Sequence, residues 1–253
     1  MRAASKEEYL NPEDTHNFNI GLIYTKKNCT NFFKLSYYIV VVIIGHYILK
    51  QLDYFPKNLL GNGDVSNLFI GGFPSYIFHI KPQLFNYYYL GALAFHLTDL
   101  IWLVGVYELQ SDFLMMLLHH TCTISLITFS YLSNYTNVGC IVLFLHDFTD
   151  IFVYITRIFL NTRTKEIIKV SSGIFLLLIY IYCRIYVFGD LLVKVFYGLI
   201  SHLNWVNQTL WGFLCFLYVL HLYWVYLILN KIFNALFMNK YEDSFKVNDK
   251  KST

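Results

Sequence analysis

Charged residues are scarce in this sequence: Asp, Glu, Lys and Arg make up only 14% of its 253 residues. The net charge of +3 is too small to indicate a nucleic-acid partner. A soluble globular domain is excluded as well, because 57% of the residues are hydrophobic and 19% are aromatic. The composition therefore predicts a protein that crosses a lipid membrane several times.

Patterns that would indicate a disulfide framework or a metal site are also missing. The five cysteines are scattered singly, without a Cys-x-x-Cys pair, and are interpreted as small buried apolar residues. Repeated His-x-x-His-His patterns, which membrane di-iron oxygenases need, are absent. A zinc or iron site is therefore the less favoured interpretation, and we expect no bound metal or cofactor. The first thirty residues have no apolar core, so a cleavable signal peptide is not expected either.

Apolar runs predict an all-α integral membrane protein of about six transmembrane helices. A helical span needs about 20 apolar residues. Runs of this kind, the first one short, cover residues 35–49, 84–106, 113–133, 138–159, 167–188 and 209–237. Between them, 50–83 reads as a loop in which 68–80 dips into the membrane interface. Residues 189–206 read as a connection with a semi-apolar piece at 191–200.

The distribution of basic residues predicts the orientation of these spans. Lys and Arg are more frequent at both chain ends and between spans four and five than on the opposite side. Because cytosolic flanks are enriched in positive charge, both termini are predicted to be cytosolic. The last residues, Lys250-Lys251-Ser252-Thr253, have the form of a dilysine retrieval signal. Together these features predict a multi-pass protein of the endoplasmic reticulum membrane.

Ionisable residues interrupt the third and fourth apolar runs. These residues are His119, His120, His146, Asp147 and Asp150. An imidazole or a carboxylate is costly inside a bilayer and is a functional candidate by default. Three imidazoles and two carboxylates on adjacent spans exceed what helix packing requires. We therefore predict that these five residues form a catalytic site.

Helical spacing groups these residues into two polar faces. On the third span, His119, Thr123 and Ser130 share a face, and on the fourth, His146 lies one turn before Asp150. If the two faces meet, an imidazole and a carboxylate can form a hydrogen bond. Such a pair suits acyl transfer: the histidine takes a proton from an attacking amine or attacks a thioester itself, and the carboxylate fixes its tautomer.

Other polar residues lie singly in the remaining spans. Asp99, Arg184 and His221 are candidates for substrate binding, and Asp99 shares a face with His96 one turn away. For Arg184, a snorkelling or interface charge is the favoured interpretation. For lone histidines such as His46, His96 and His221, an interhelical hydrogen bond is the favoured interpretation.

Several motifs resemble the signature of the ceramide synthases, which are sphingoid-base N-acyltransferases with a TRAM-Lag-CLN8 (TLC) membrane domain. They are Asp112-Phe113, His119-His120-Thr121, the run 126–131, Gly139 and His146-Asp147-x-x-Asp150. The resemblance covers about residues 31–238 as the TLC transmembrane domain, with cytosolic tails at 1–30 and 239–253. It implies a barrel of six helices around a substrate channel that contains the His and Asp residues.

The resemblance also implies a reaction and its partners. A fatty acyl group would pass from acyl-CoA, the co-substrate, to the amine of a sphingoid base such as sphinganine or sphingosine, giving (dihydro)ceramide and CoA. One of the paired histidines in related enzymes is thought to accept the acyl group covalently. Whether His119 or His120 would do so here stays open. The segment matching 189–206 is thought to tune acyl-chain length. The implied partners are the lipid membrane and both substrates, and homodimer and heterodimer both stay open.

Departures from the family pattern leave two alternatives. Gln110 and Ser111 stand where many members have basic residues, Asn137 replaces an Arg, and Tyr154 replaces a Glu. These positions bear on how CoA phosphates or the acceptor headgroup would be held. The first alternative is a non-enzymatic TLC protein that binds or senses lipids or assists trafficking. The second is an acyltransferase with another lipid acceptor.

Overall fold

The computed structural model of the protein describes residues 12–63, 68, 84–105, 112–162, 164–200 and 204–237, and within them it is helical without a β-strand apart from one isolated bridge. The helices are α1 (Pro12–Leu49), α2 (Phe85–Gly105), α3 (Phe113–Leu132), α4 (Thr136–Leu160), α5 (Glu166–Tyr180), α6 (Phe188–Ile200) and α7 (Trp205–Phe237). Six stretches are long and apolar enough to cross a membrane. The predicted all-α fold with about six spans is thus confirmed.

Helix α1 begins earlier than the sequence suggested. Residues 12–30, predicted to be a flexible tail, belong to this helix, and its membrane-spanning part is Lys27–Leu49. Pro12 occupies the first helical position, where its fixed φ is favourable and its missing N–H costs nothing. No further proline follows before Pro56, so the helix continues into the apolar run without a break.

Helices α5 and α6 form one continuous span, Glu166–Gly198. They are joined by a π-helical stretch, Ile181–Val187, in which the wider turn shifts the register of the following residues. The prediction of a connection from residue 189 onward was therefore wrong as far as Ile200. Gly189 had indicated a break, but in the structure it lets α6 approach the Tyr218 side chain of α7 closely.

Helices α3 and α4 are antiparallel neighbours joined by a tight turn. Asn134 adopts a left-handed conformation, with φ of 58°, which asparagine tolerates better than most residues. The backbone N–H of Tyr135 donates to the Ser130 carbonyl over 2.8 Å and closes the turn. Because α4 already begins at Thr136, the turn is shorter than the predicted 134–137.

Helix α4 lies at the centre of the described helices. It contacts α1, α2, α3 and α5, and more of its length is buried than in any other span. The remaining spans expose large apolar side chains such as Ile43 and Leu229, which suits contact with lipid. The closed six-helix barrel stays a prediction. The predicted interfacial segment 68–80 lies outside the described residues except for Leu68, which is buried; the C-terminal tail 239–253 lies outside them entirely.

Candidate active site

Three buried histidines from three helices meet between α3, α4 and α7. The ring centroids of His119 and His146 are 6.4 Å apart, those of His119 and His221 are 6.3 Å apart, and those of His146 and His221 are 4.8 Å apart. His221 is fully buried, and it lies 75 residues from His146 in the chain. The lone histidine of the last span therefore belongs to the same cluster as the predicted catalytic residues.

Hydrogen bonds fix the tautomers of two of these histidines when their rings are neutral. His146 Nδ1 lies 2.6 Å from the Val142 carbonyl, which can only accept, so His146 donates there. His146 Nε2 must then accept the hydrogen bond from His221 Nε2, over 2.8 Å. His221 Nδ1 in turn accepts from the Tyr180 hydroxyl, over 3.2 Å. This chain, Tyr180–His221–His146–Val142, is called the histidine relay below, and it uses every ring nitrogen of both histidines.

The paired histidines His119 and His120 point to different surroundings. His119 lines a cavity and contacts the Trp224 ring edge-on, with centroids 5.1 Å apart. The nearest histidine to His120 besides its neighbour is His96, with centroids 6.2 Å apart, and His120 is not among the residues that line the cavity. Neither Nδ1 atom of the pair has a hydrogen-bond partner within the described residues.

The carboxylates are paired with cations rather than with imidazoles. Arg184 Nη2 donates to Asp150 Oδ1 over 2.5 Å and to the His146 carbonyl over 3.0 Å. Lys34 Nζ forms an ion pair with Asp99 Oδ2 over 2.7 Å. In the described part of the chain, no hydrogen bond joins an imidazole to Asp147 or Asp150, so the predicted His–carboxylate pair is replaced by the histidine relay and the Arg184–Asp150 pair.

Asp147 lies apart from this arrangement. A helix places residue 147 about 100° around from residue 146, and Asp147 is absent from the cavity lining. The side chain is only 2% exposed, and its Oδ2 atom has no partner within the described residues. The structure thus places His119, His146 and Asp150 in the cavity lining, whereas His120 and Asp147 are buried outside that lining.

Arg184 lies in the π-helical stretch and is buried at the site, so its interpretation as a snorkelling or interface charge was wrong. Tyr180, Arg184 and Phe188 follow each other at four-residue spacing and are all buried, with the Arg184 side chain only 3% exposed. Since the guanidinium already binds Asp150 and the His146 carbonyl, it holds the π-helical stretch against α4. The substrate contacts predicted for Arg184, Asp99 and His221 stay predictions.

A narrow, mainly apolar cavity leads away from the histidines. The space inside it that a water-sized sphere can reach is about 60 Å³, less than the roughly 300–1,000 Å³ usual for ligand sites, so a bound alkyl chain would have to displace its walls. His96, His119, His146 and Asp150 form its polar end, and the sequence-predicted face of His119, Thr123 and Ser130 is confirmed as one wall. Apolar residues line most of the remainder: Leu126, Ile127, Val138, Val142, Leu143, Val195, Leu210, Leu214 and Leu217. Such a lining suits an alkyl chain.

Sequence reasoning missed three contributors to this site. His96 was interpreted as a packing residue, although its shared face with Asp99 was a usable signal. Tyr180 and Trp224 gave no signal, since aromatic residues are common in every span. Among the described residues, no group of three His, Cys, Asp or Glu side chains is arranged to hold a metal ion.

Comparison with known proteins identifies the family. The family model described as TLC domain matches residues 27–230, most of the chain. The chain belongs to the TLC domain family. The match begins inside α1 and includes every residue of the cavity wall, so the candidate site lies wholly within the TLC domain.

Curated relatives of this TLC protein are ceramide synthases. Ceramide synthase 3 from Homo sapiens is 30% identical over 161 residues, which cover 62% of the chain and 41% of that protein. Ceramide synthase 4 from Homo sapiens is 31% identical over 166 residues, covering 64% and 40%. Ceramide synthase LOH2 from Arabidopsis thaliana is 28% identical over 180 residues, covering 67% and 58%. The TLC protein is thus ceramide synthase-like, and it spans about half the length of these relatives.

Proposed function

We propose that this TLC protein transfers a fatty acyl group from acyl-CoA to the amine of a sphingoid base, forming (dihydro)ceramide and CoA in the endoplasmic reticulum membrane. One observation carries the proposal: His119, whose Nδ1 has no partner within the described residues, lies at the polar end of a narrow apolar cavity. The cavity suits the alkyl chain of a thioester, and its polar end brings the thioester carbonyl to an imidazole.

The position of His119 suits two routes to the same products. In the first, a His119 nitrogen attacks the thioester carbon, the C–S bond breaks, and CoA leaves as a thiolate. The sphingoid amine then attacks the acyl-imidazole, the C–N bond to His119 breaks, and the amine proton passes to the thiolate. In the second, the amine attacks the thioester directly while His119 takes its proton and returns it to the sulfur. Both routes give one amide and one CoA thiol.

The other predicted catalytic residues receive supporting roles in this proposal. The histidine relay fully occupies both ring nitrogens of His146, so we assign His146 to positioning rather than to proton transfer with the substrate. The Arg184–Asp150 pair holds the wall opposite His119 in place. His120 lies outside the cavity lining, next to His96, and supports the site by packing.

A reconstituted assay tests the proposal. Purified protein in detergent receives sphinganine and a saturated acyl-CoA, and ceramide is quantified for the natural protein and for His119→Ala and His120→Ala. We expect His119→Ala to lower the rate by about a hundredfold or more, the usual range for loss of a proton-transfer group, and His120→Ala to lower it less. Intact mass after incubation with acyl-CoA alone separates the routes, since only the covalent one gives an acyl adduct that maps to His119.

Two other results would contradict the proposal, and each would favour a different function. Acyl-CoA binding without ceramide above the His119→Ala level would indicate a lipid-binding TLC protein, which the apolar lining of the cavity would also suit. Preference for a lipid alcohol over sphinganine in a competition assay would indicate a different acceptor.

A further inference from the structure

We propose that Tyr89, Ser130 and Gly139 close the far end of the cavity and set the longest acyl chain that it accepts. These three residues are called the cavity floor below. The inference rests on the proposed function for the identity of the ligand, a fatty acyl thioester whose carbonyl lies at His119. It assigns chain-length selection to residues outside the segment 189–206.

Helix geometry places the floor well away from the histidines. Gly139 and Asp150 are eleven residues apart on α4, which is about 16 Å along a helix at 1.5 Å per residue. His119 and Ser130 have the same separation on α3, and Leu210 and His221 have it on α7. The cavity therefore runs along the helix axes from a polar end to an end at the α3–α4 turn.

The Tyr89 side chain is fixed across this end. It is fully buried, and its ring stacks on Phe85 and Tyr131, with centroids 6.3 Å and 6.1 Å away. The Ser130 hydroxyl lies 2.5 Å from the Leu126 carbonyl and donates its only hydrogen there. The Tyr89 hydroxyl, which is hydrogen-bonded to Ser130 Oγ, must therefore be the donor in that bond.

Gly139 leaves the space that the Tyr89 hydroxyl occupies. A Cβ at this position would overlap the Tyr89 hydroxyl oxygen and would lie 3.1 Å from Ser130 Oγ. Since Tyr89 stacks on Phe85 and Tyr131 and also lines the cavity, we expect a larger residue at 139 to displace the ring tip toward the cavity. The floor would then lie closer to His119.

The segment predicted to tune chain length also contributes to the cavity. Of residues 189–198 and 204–206, whose side chains the structure describes, Val195 lines it. Tyr89, Ser130 and Gly139 line it as well, and they come from three other helices. These three residues close the cavity where α2, α3 and α4 converge.

Binding profiles test the floor without requiring turnover. Purified variants in lipid nanodiscs compete labelled hexadecanoyl-CoA against a saturated series from dodecanoyl-CoA to hexacosanoyl-CoA. Tyr89→Ala should move the preference to longer chains and Gly139→Ala to shorter ones. We expect each to change the affinity ratio of long to short chains by about tenfold or more, as a methylene-sized change in an apolar site does.

Matched controls separate a floor from general damage. Tyr89→Phe keeps the ring but loses the hydroxyl that donates to Ser130, so its profile should shift less than that of Tyr89→Ala. Gly91→Ala adds the same methyl group on α2 where nothing lies within 4 Å, so it should change nothing. If Tyr89→Ala does not remain monodisperse, Gly139→Ala alone decides.

The outcomes distinguish this inference from the proposed function. Unchanged binding profiles in Tyr89→Ala and Gly139→Ala, or an equal shift in Gly91→Ala, would overturn the cavity floor even if ceramide forms. Shifted profiles in a protein that forms no ceramide would contradict the acyltransferase alone.

Discussion

Individual buried histidines in this protein have different hydrogen-bonding states. His146 and His221 have both ring nitrogens paired in the histidine relay, whereas Nδ1 of His119 and Nδ1 of His120 have no partner within the described residues. A paired ring is held in one tautomer and orientation, and an unpaired nitrogen is available to a ligand. The relay residues therefore position the site, and His119 faces the substrate.

The relay predicts a graded loss of stability. His221→Leu leaves the Tyr180 hydroxyl and His146 Nε2 unpaired in a buried site, and each orphaned group costs about 1–3 kcal/mol. Tyr180→Phe leaves only His221 Nδ1 unpaired and should cost about 1–3 kcal/mol once. Melting temperatures in detergent should therefore fall further for His221→Leu, which orphans two groups, than for Tyr180→Phe.

His46→Leu supplies the control for this series. His46 lies on α1, outside the relay, and its ring contacts only Phe55 and Phe144 among the described aromatic side chains. The His46→Leu variant should have nearly the same melting temperature as the natural protein. Equal melting temperatures for His221→Leu and His46→Leu would contradict the relay.

Two elements, α4 and the α5–α6 span, are joined at the site by one buried ion pair. Arg184 and Asp150 are 34 residues apart, and Arg184 lies within the π-helical stretch. Burying a charge is tolerated only when a partner and further hydrogen bonds compensate it, here the His146 carbonyl. The pair therefore fixes the register of the two spans.

Removing one partner of this pair should be worse than removing both. Arg184→Met or Asp150→Leu alone leaves an uncompensated buried charge, at a cost of about 3–5 kcal/mol. The double variant should recover most of the melting temperature but not the acyl transfer, since the histidines lose their support on one side.

An exposed ion pair serves as the comparison. Lys169 and Glu166 form a pair in which the Glu166 side chain is 65% exposed. Because exposed pairs contribute about 0–1 kcal/mol, Glu166→Gln should leave the melting temperature almost unchanged. A double Arg184→Met/Asp150→Leu variant no more stable than either single variant would contradict the compensation argument.

The whole molecule presents an apolar surface to the membrane and its polar groups to the interior. Exposed side chains on the spans include Phe33, Ile101 and Phe237, whereas Arg184, Asp147 and His221 are buried. From the basic residues at its ends, we propose that both termini are cytosolic.

Protease protection tests that orientation. Epitope tags at the two termini should both be removed when protease is added to sealed microsomes, because six spans return the chain to the side on which it began. A lumenal marker protein should stay intact until detergent is added. Protection of either tag would contradict the predicted topology.

The sequence by itself determined the features that depend on local periodicity. Apolar run length gave six spans, and 3.6-residue spacing placed His119, Thr123 and Ser130 on one face. Local periodicity did not predict that α5 and α6 form one continuous span. Gly189 indicates a helix break in the sequence, and only the structure shows that it lies against the Tyr218 side chain.

Only the tertiary structure decided which faces meet. His221 joins His146 across 75 residues, and His119 separates from His120 because adjacent residues on a helix point about 100° apart toward different neighbours. Such pairings depend on packing between helices distant in the chain, and periodicity within one helix carries no information about them. The cavity floor of Tyr89, Ser130 and Gly139 likewise exists only where three helices converge.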